Sequence, residues 1–296
     1  KGCRALREVV WPAGLAKVEP EVFSGCTELE RIRNGEEERP LWADLESHRC
    51  LEVSGESDRG YSPVWQSVGE RAFYRCVYLK ETDLTGAEYI GKEAFSGCRV
   101  LRRSPVNHKV RIEERAFEDT GFTQGEAQTL PVAGGVILSG DFCEGEIRLP
   151  EGITRIAPYA FAGNQKIQKV IFPDSLEQIG EGAFFGCSSL LEVFLPKSLC
   201  SIEGRAFEKC ISLKQIETSA VQVGQGAFAF CTGLSKAVLY GVPILAPGLF
   251  EGCRSLKQCV CERAEEAKER SFLGCRSLEA FDHSRLGRIG VRAFEG

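Results

Sequence analysis

An Ala-Phe pair, or a close variant of it, returns along this chain at a nearly fixed step. Its Phe stands at Phe23, Phe73, Phe95, Phe117, Phe161, Phe184, Phe207, Phe228, Phe250, Phe272 and Phe294, and from Phe161 the steps are 23, 23, 21, 22, 22 and 22. A period of this size points to a solenoid, because one unit cannot bury its apolar face alone and stacked neighbours can. The fullest copy, residues 179–196, reads IGEGAFFGCSSLLEVFLP. Its frame is Ile-Gly-x-x-Ala-Phe-x-x-Cys-x-x-Leu-x-x-Val-x-Leu-Pro. Two gaps, 50 after Phe23 and 44 after Phe117, are close to twice the period. Each predicts one degenerate coil, giving about thirteen coils of about 22–23 residues.

Within a coil, Leu-x-x-Val-x-Leu places apolar residues on one side of a strand, as in Ile167/Val170/Phe172 and Leu190/Val193/Leu195. Pro173 and Pro196 follow and end the strand, since proline has no ladder donor. The piece around Ala-Phe-x-x-Cys is too short for an ordinary helix and is read as one helical turn. Strands separated by such crossovers stack most simply in parallel. The expected fold class is therefore an α/β solenoid, a single elongated domain over 1–296. The stretches 35–63 and 120–146 depart from the frame, and each is read as an irregular coil with a loop or as a functional loop. The chain opens and closes inside a repeat, at Cys3 and at Phe294, and is read as a fragment truncated at both ends.

With this frame the chain resembles the BspA-type leucine-rich repeat, also called the Treponema pallidum type. The copies VGERAFYRCVYL (68–79), IGKEAFSGCRVL (90–101), IEGRAFEKCISL (202–213) and VGQGAFAFCTGL (223–234) carry the resemblance. It implies a curved leucine-rich-repeat solenoid with a parallel sheet on the concave face. It also implies surface proteins, adhesins and partner-binding proteins, with no shared catalytic residues to carry over.

Fourteen Cys suggest disulfides or metal sites until their spacing is read. Cys26, Cys76, Cys98, Cys187, Cys210, Cys231, Cys253 and Cys275 each follow the marker Phe by three, and Cys3 precedes Cys26 by one period. Stacked coils turn these into a column of small, buried, reduced side chains. Cys143 and Cys200 fall off that register and are expected to be the accessible thiols. Cys259 and Cys261 take the inward slots of Val193 and Leu195, so this pair is read as core. A phosphate-loop match at 86–92 fails at Glu93 and coincides with the repeat itself. The three His (His48, His108, His283) lie far apart, and His283 falls in an inward strand slot. Asn34, Asn107 and Asn164 make no glycosylation sequon. No catalytic, cofactor or metal site is read from these residues.

Recognition must then lie between the core positions. One row of strand residues reads Glu146, Lys169, Glu192, Gln215, Lys236, Gln258, a surface ladder of opposite charges and amides. The next reads Arg148, Ile171, Phe194, Glu217, Val238, Val260, Asp282, with Tyr240 nearby. Apolar residues at solvent-facing positions reflect either β-propensity or a partner site. Ile171, Phe194, Glu217, Val238, Tyr240 and Val260 are the candidate protein-binding residues. The net charge of −5 argues against a nucleic-acid footprint, and no run spans a membrane. The function expected is a non-enzymatic protein-interaction scaffold, from a surface protein or adhesin. The alternative is a regulatory or targeting array of a larger intracellular protein whose catalytic domain lies elsewhere. The reduced Cys column suits either compartment. Uncapped solenoid ends expose open sheet edges and should self-associate or fray. Light scattering should show association, and a clean monomer with protected terminal amides would contradict it.

Overall fold

The computed structural model describes residues 2–12, 15–34, 65–101, 110–121, 130, 132–282 and 285–296. The expected alternation becomes one line of longer strands. They are β1 (Glu8–Trp11), β3 (Arg31–Asn34), β9 (Gly145–Arg148), β11 (Ile167–Ile171), β13 (Glu192–Phe194), β15 (Gln215–Thr218), β17 (Lys236–Leu239), β19 (Gln258–Val260) and β21 (Ala280–Asp282). The residue pair ending at the Ile-Gly position forms a second line that periodicity alone does not reveal. It comprises β2 (Lys17–Val18), β4 (Ser67–Val68), β5 (Tyr89–Ile90), β6 (Arg111–Ile112), β8 (Val136–Ile137), β10 (Arg155–Ile156), β12 (Gln178–Ile179), β14 (Ser201–Ile202), β16 (Gln222–Val223), β18 (Ile244–Leu245), β20 (Glu266–Ala267) and β22 (Arg288–Ile289). One extra strand, β7 (Val132–Ala133), precedes β8.

All pairings within both lines are parallel; only β7 on β8 is antiparallel. The long-strand line runs as β1-β3, β9-β11-β13 and β15-β17-β19-β21. The short-strand line runs as β2-β4-β5-β6, then β7-β8-β10-β12-β14-β16, then β18-β20-β22. One apolar core extends between the two lines from Trp11 to Cys275.

The helical turn expected at Ala-Phe-x-x-Cys is not present; no α-helix occurs among the described residues, which corrects the α/β label to an all-β solenoid. The reason is backbone conformation. The residues two before and two after the marker are left-handed: Gly182 (φ 56°) and Gly186 (φ 71°) around Phe184, Arg205 (φ 58°) and Lys209 (φ 63°) around Phe207. A right-handed helix cannot pass through such residues, each costing a non-glycine about 1–2 kcal/mol. The return is a third set of bonds between coils. Gly182, Phe184 and Gly186 donate their N–H groups to the Gly204, Ala206 and Glu208 carbonyls at 2.9, 2.7 and 2.8 Å. The intervening N–H groups close tight turns inside the coil, as Phe185 N to Gly182 O at 2.8 Å.

Stacking follows from this register. Phe184 lies 4.8 Å from the Phe161 ring and 5.1 Å from that of Phe207, with planes within 9° and 3° of parallel. These separations match the roughly 4.8 Å rise between paired strands. The Cys column has a chemical reason beyond size. Seven of these thiols, Cys76, Cys98, Cys187, Cys210, Cys231, Cys253 and Cys275, donate to the marker carbonyl of the preceding coil, as Cys187 to Phe161 and Cys210 to Phe184, both at 3.1 Å. The same carbonyl accepts the backbone N–H of the residue three further on in its own coil, Asn164 for Phe161 and Cys187 for Phe184, so both lone pairs are used. Asn164 fills the slot in the Phe161 coil and donates to Gly140 O at 3.0 Å.

The two long gaps differ. Phe23 stacks directly on Phe73 at 5.3 Å, β2 pairs with β4, and Glu30 meets Lys80 at 3.3 Å. No coil separates these two among the described residues; residues 35–64, including the Cys50-Leu51-x-Val53 hint, lie outside the described residues. The second gap does hold a coil. Gly140 occupies its marker slot, donating to Ala160 O at 2.7 Å, and Cys143 occupies its Cys slot. Eleven Phe and Gly140 make twelve marker turns among the described residues, one fewer than the thirteen coils expected.

Phe184→Ala removes a fully buried ring from the middle of the stack and should cost about 3–5 kcal/mol, read as a lower urea midpoint.

Candidate functional site on the long-strand face

The two rows read from the sequence are rows in the structure. Glu146, Lys169 and Glu192 pair across β9, β11 and β13, and Lys169 reaches Glu146 at 3.2 Å. Such an exposed pair contributes about 0.2–1 kcal/mol, so this row is ordinary surface. In the second row Arg148, Ile171 and Phe194 are neighbours, as are Glu217, Val238, Val260 and Asp282. The ladder is interrupted between β13 and β15, which divides the six candidates into two patches.

Their exposure differs. Phe194 is 52 % exposed, although it sits in a paired strand, and the Lys169 ammonium lies 5.3 Å from its ring centre. Ile171 and Val260 are half-buried. Val238 is only 7 % exposed, between Glu217 and Val260, so the expectation that it faces solvent is corrected. Tyr240 is exposed and donates its hydroxyl to Glu217 at 3.1 Å, and that bond raises the phenol's pKa. Leu191, exposed just ahead of β13, went unnoticed in the sequence because it lies outside the row positions. The arrangement offers apolar contact, one cation over an aromatic face and one polar pair. It contains no nucleophile beside a base.

The thiols do not alter that. Burial raises the thiol pKa values of Cys76, Cys231 and Cys275 to about 12 and that of Cys143 to about 11. Cys143 is thus in register and buried, against the expectation of an accessible thiol, whereas Cys200 is exposed as expected. The Sγ atoms of Cys259 and Cys261 are 3.4 Å apart, both buried and both free, well beyond the roughly 2.05 Å of a disulfide. Among the described residues no group of three or more His, Cys, Asp or Glu is placed to hold a metal ion. His48, His108 and His283 lie outside the described residues. In the phosphate-loop-like stretch, Lys92 is engaged by Glu114 at 2.9 Å, and a Cβ on Gly91 would lie 2.6 Å from Glu70 N. That stretch is scaffold. No helix among the described residues is long and apolar enough to cross a membrane.

The profile of the BspA type leucine-rich repeat region matches in six copies, over residues 1–38, 62–128, 144–257 and 215–296. The chain belongs to this family. BspA-type repeats are typically protein-interaction scaffolds rather than enzymes. A solved leucine-rich repeat protein of T. pallidum is 28 % identical, covering 52 % of this chain and 77 % of its own, with a TM-score of 0.50. The pneumococcal vaccine antigen PcpA is 18 % identical, covering 93 % of this chain and 78 % of its own, at 0.48. A leucine-rich cell surface protein of Faecalibacterium prausnitzii is 18 % identical, covering 94 % and 79 %, at 0.40. The last two overlap too loosely to add to the argument. No curated protein matches the chain.

Thiol alkylation of the native protein at neutral pH should be fast at Cys3 and Cys200 and slow at Cys76, Cys143, Cys231 and Cys275. The buried thiols ionise above their unfolded values near 9. Their contribution to stability is therefore complete below pH 9 and is lost as pH rises through about 11–12. Urea midpoints should fall across that window.

Proposed function

We propose that this chain is a non-enzymatic scaffold that binds a protein partner on its long-strand face. The observation that carries the proposal is Phe194, a large aromatic side chain held half in solvent by a paired strand, with Lys169 over its ring. A ring left half in solvent beside Ile171 gains less for the fold than a buried one and offers an anchor to a partner, and aromatic residues are enriched in such anchors. Ile171 extends the patch on one side of the β13–β15 divide. Glu217, Val238, Tyr240 and Val260 form its counterpart on the other, where exposed Tyr240 supplies the accessible surface and Val238 is covered. The family's implied curvature makes this face the concave one. By the same resemblance, the protein of which this chain is part is proposed to be a surface protein or adhesin.

A photo-crosslinking amino acid at position 194 should trap a protein, and the same group at Ser188, in the marker-side turn, should not. Phe194→Lys should weaken binding of the trapped partner about tenfold or more without lowering thermal stability. Equal trapping at both positions, or unchanged affinity in the Lys variant, would overturn the proposal.

A further inference from the structure

The short-strand line is interrupted twice among the described residues, between β6 and β8 and between β16 and β18. Elsewhere each coil donates to the one before it: Gln222 N to Cys200 O at 3.3 Å and Gly224 N to Ile202 O at 2.8 Å, then Glu266 N to Pro243 O at 3.3 Å and Lys268 N to Leu245 O at 2.9 Å. At the second interruption the equivalent groups are the N–H of Ile244 and Ala246 and the carbonyls of Val221 and Val223. Among the described residues these do not bond to one another.

The cause is one residue. Glu177, Cys200, Val221, Glu265 and Gly287 hold the same place in their coils, and each donates its N–H to the preceding coil at 2.8–3.0 Å. Pro243 holds that place here and has no N–H to give. The two coils stay joined on both sides of the fault, by Tyr240 N to Thr218 O and by Gly226 N to Pro247 O, each at 3.0 Å. Between these joints lies an open cleft of about 1420 Å³, lined by Glu203, Val221, Gln222, Pro243, Ile244 and Arg263 among others. It is larger than the usual small-molecule pocket of about 300–1,000 Å³.

The first interruption shows what such an edge accepts. There β8 has β10 on one side, and its other edge, the one facing β6, carries β7 antiparallel, with Val132 opposite Ile137 and Ala133 opposite Val136. The connecting Gly134 and Gly135 are both left-handed, at φ 56° and 77°, which lets the chain reverse onto its own edge. β18 leaves open the same edge that β7 covers on β8.

We propose that the free edge of β18 binds an extended peptide segment of a protein partner, added as a strand in the way β7 is added to β8. The segment's carbonyls accept from Ile244 and Ala246, a form of recognition that reads main chain first and side chains second. Its paired positions must lack proline. Its outward side chains should be apolar, because Val221 and Ile244 flank the cleft at 52 % and 46 % exposure.

A random peptide library selected against the wild-type protein tests this. Binders should slow hydrogen exchange at the Ile244 and Ala246 amides about tenfold or more and lose about tenfold or more in affinity on two substitutions. Ile244→Pro deletes an N–H that the fold does not use, so it should melt as wild type does. Pro243→Val restores the missing donor, should close the cleft, and carries the test alone if Ile244→Pro does not fold. A library that yields no binder, binders indifferent to both substitutions, or binders that leave the two amides exchanging as before would each overturn the proposal. Protection of these amides by concentration-dependent dimerisation would overturn the assignment to a separate partner.

Discussion

The structure depends on main-chain hydrogen bonds that pass from each coil to the next through the marker turn. Gly182, Phe184 and Gly186 all point their N–H groups along the stacking axis, and left-handed residues at both ends of the turn make that direction available. Two further lines of bonds, in the long and short strands, hold the remaining sides. The Phe rings and the thiols occupy what these bonds enclose, at the spacing the bonds set. Arg205, Lys209 and Tyr159 show how firmly the turn is imposed, since each adopts a conformation that glycine would take at no cost.

Much of this scaffold was legible because its determinants are side chains that repeat. The Phe column, the Cys column and the inward strand positions follow directly from period and polarity. The short strands were hidden because two residues carry no alternation. The turns were misread as helical because the left-handed positions vary freely among Gly, Arg, Lys, Glu, Tyr and Phe, and conformation there is dictated by neighbouring coils rather than by residue type. Cys143 looked off-register because Gly140 stands where the marker Phe is expected, so no Phe lies three residues before it. The row containing Phe194 was readable from register alone, as was the exposure of Phe194; the covering of Val238, in the same row, was not.

Features that recognition can use arise where the repeat departs from itself. Phe194 is a large apolar side chain at a position the core does not claim. Pro243 removes one donor and parts two strands that are joined elsewhere in the line, while the coils around them remain in place. The two features lie on different strand lines, so a partner on one face leaves the other free.

Gly140 has a different kind of consequence. A side chain there would begin 1.9 Å from an edge atom of the Phe161 ring, so that ring occupies the space a marker Phe would fill. The aromatic column therefore has no ring of its own in this coil, next to a point where the short-strand line also stops. In an array whose stability is a sum of nearest-neighbour terms, such a coil lowers the coupling between the two halves without loosening either. The seam beside Gly140 is therefore where the array is expected to divide first on heating or under force.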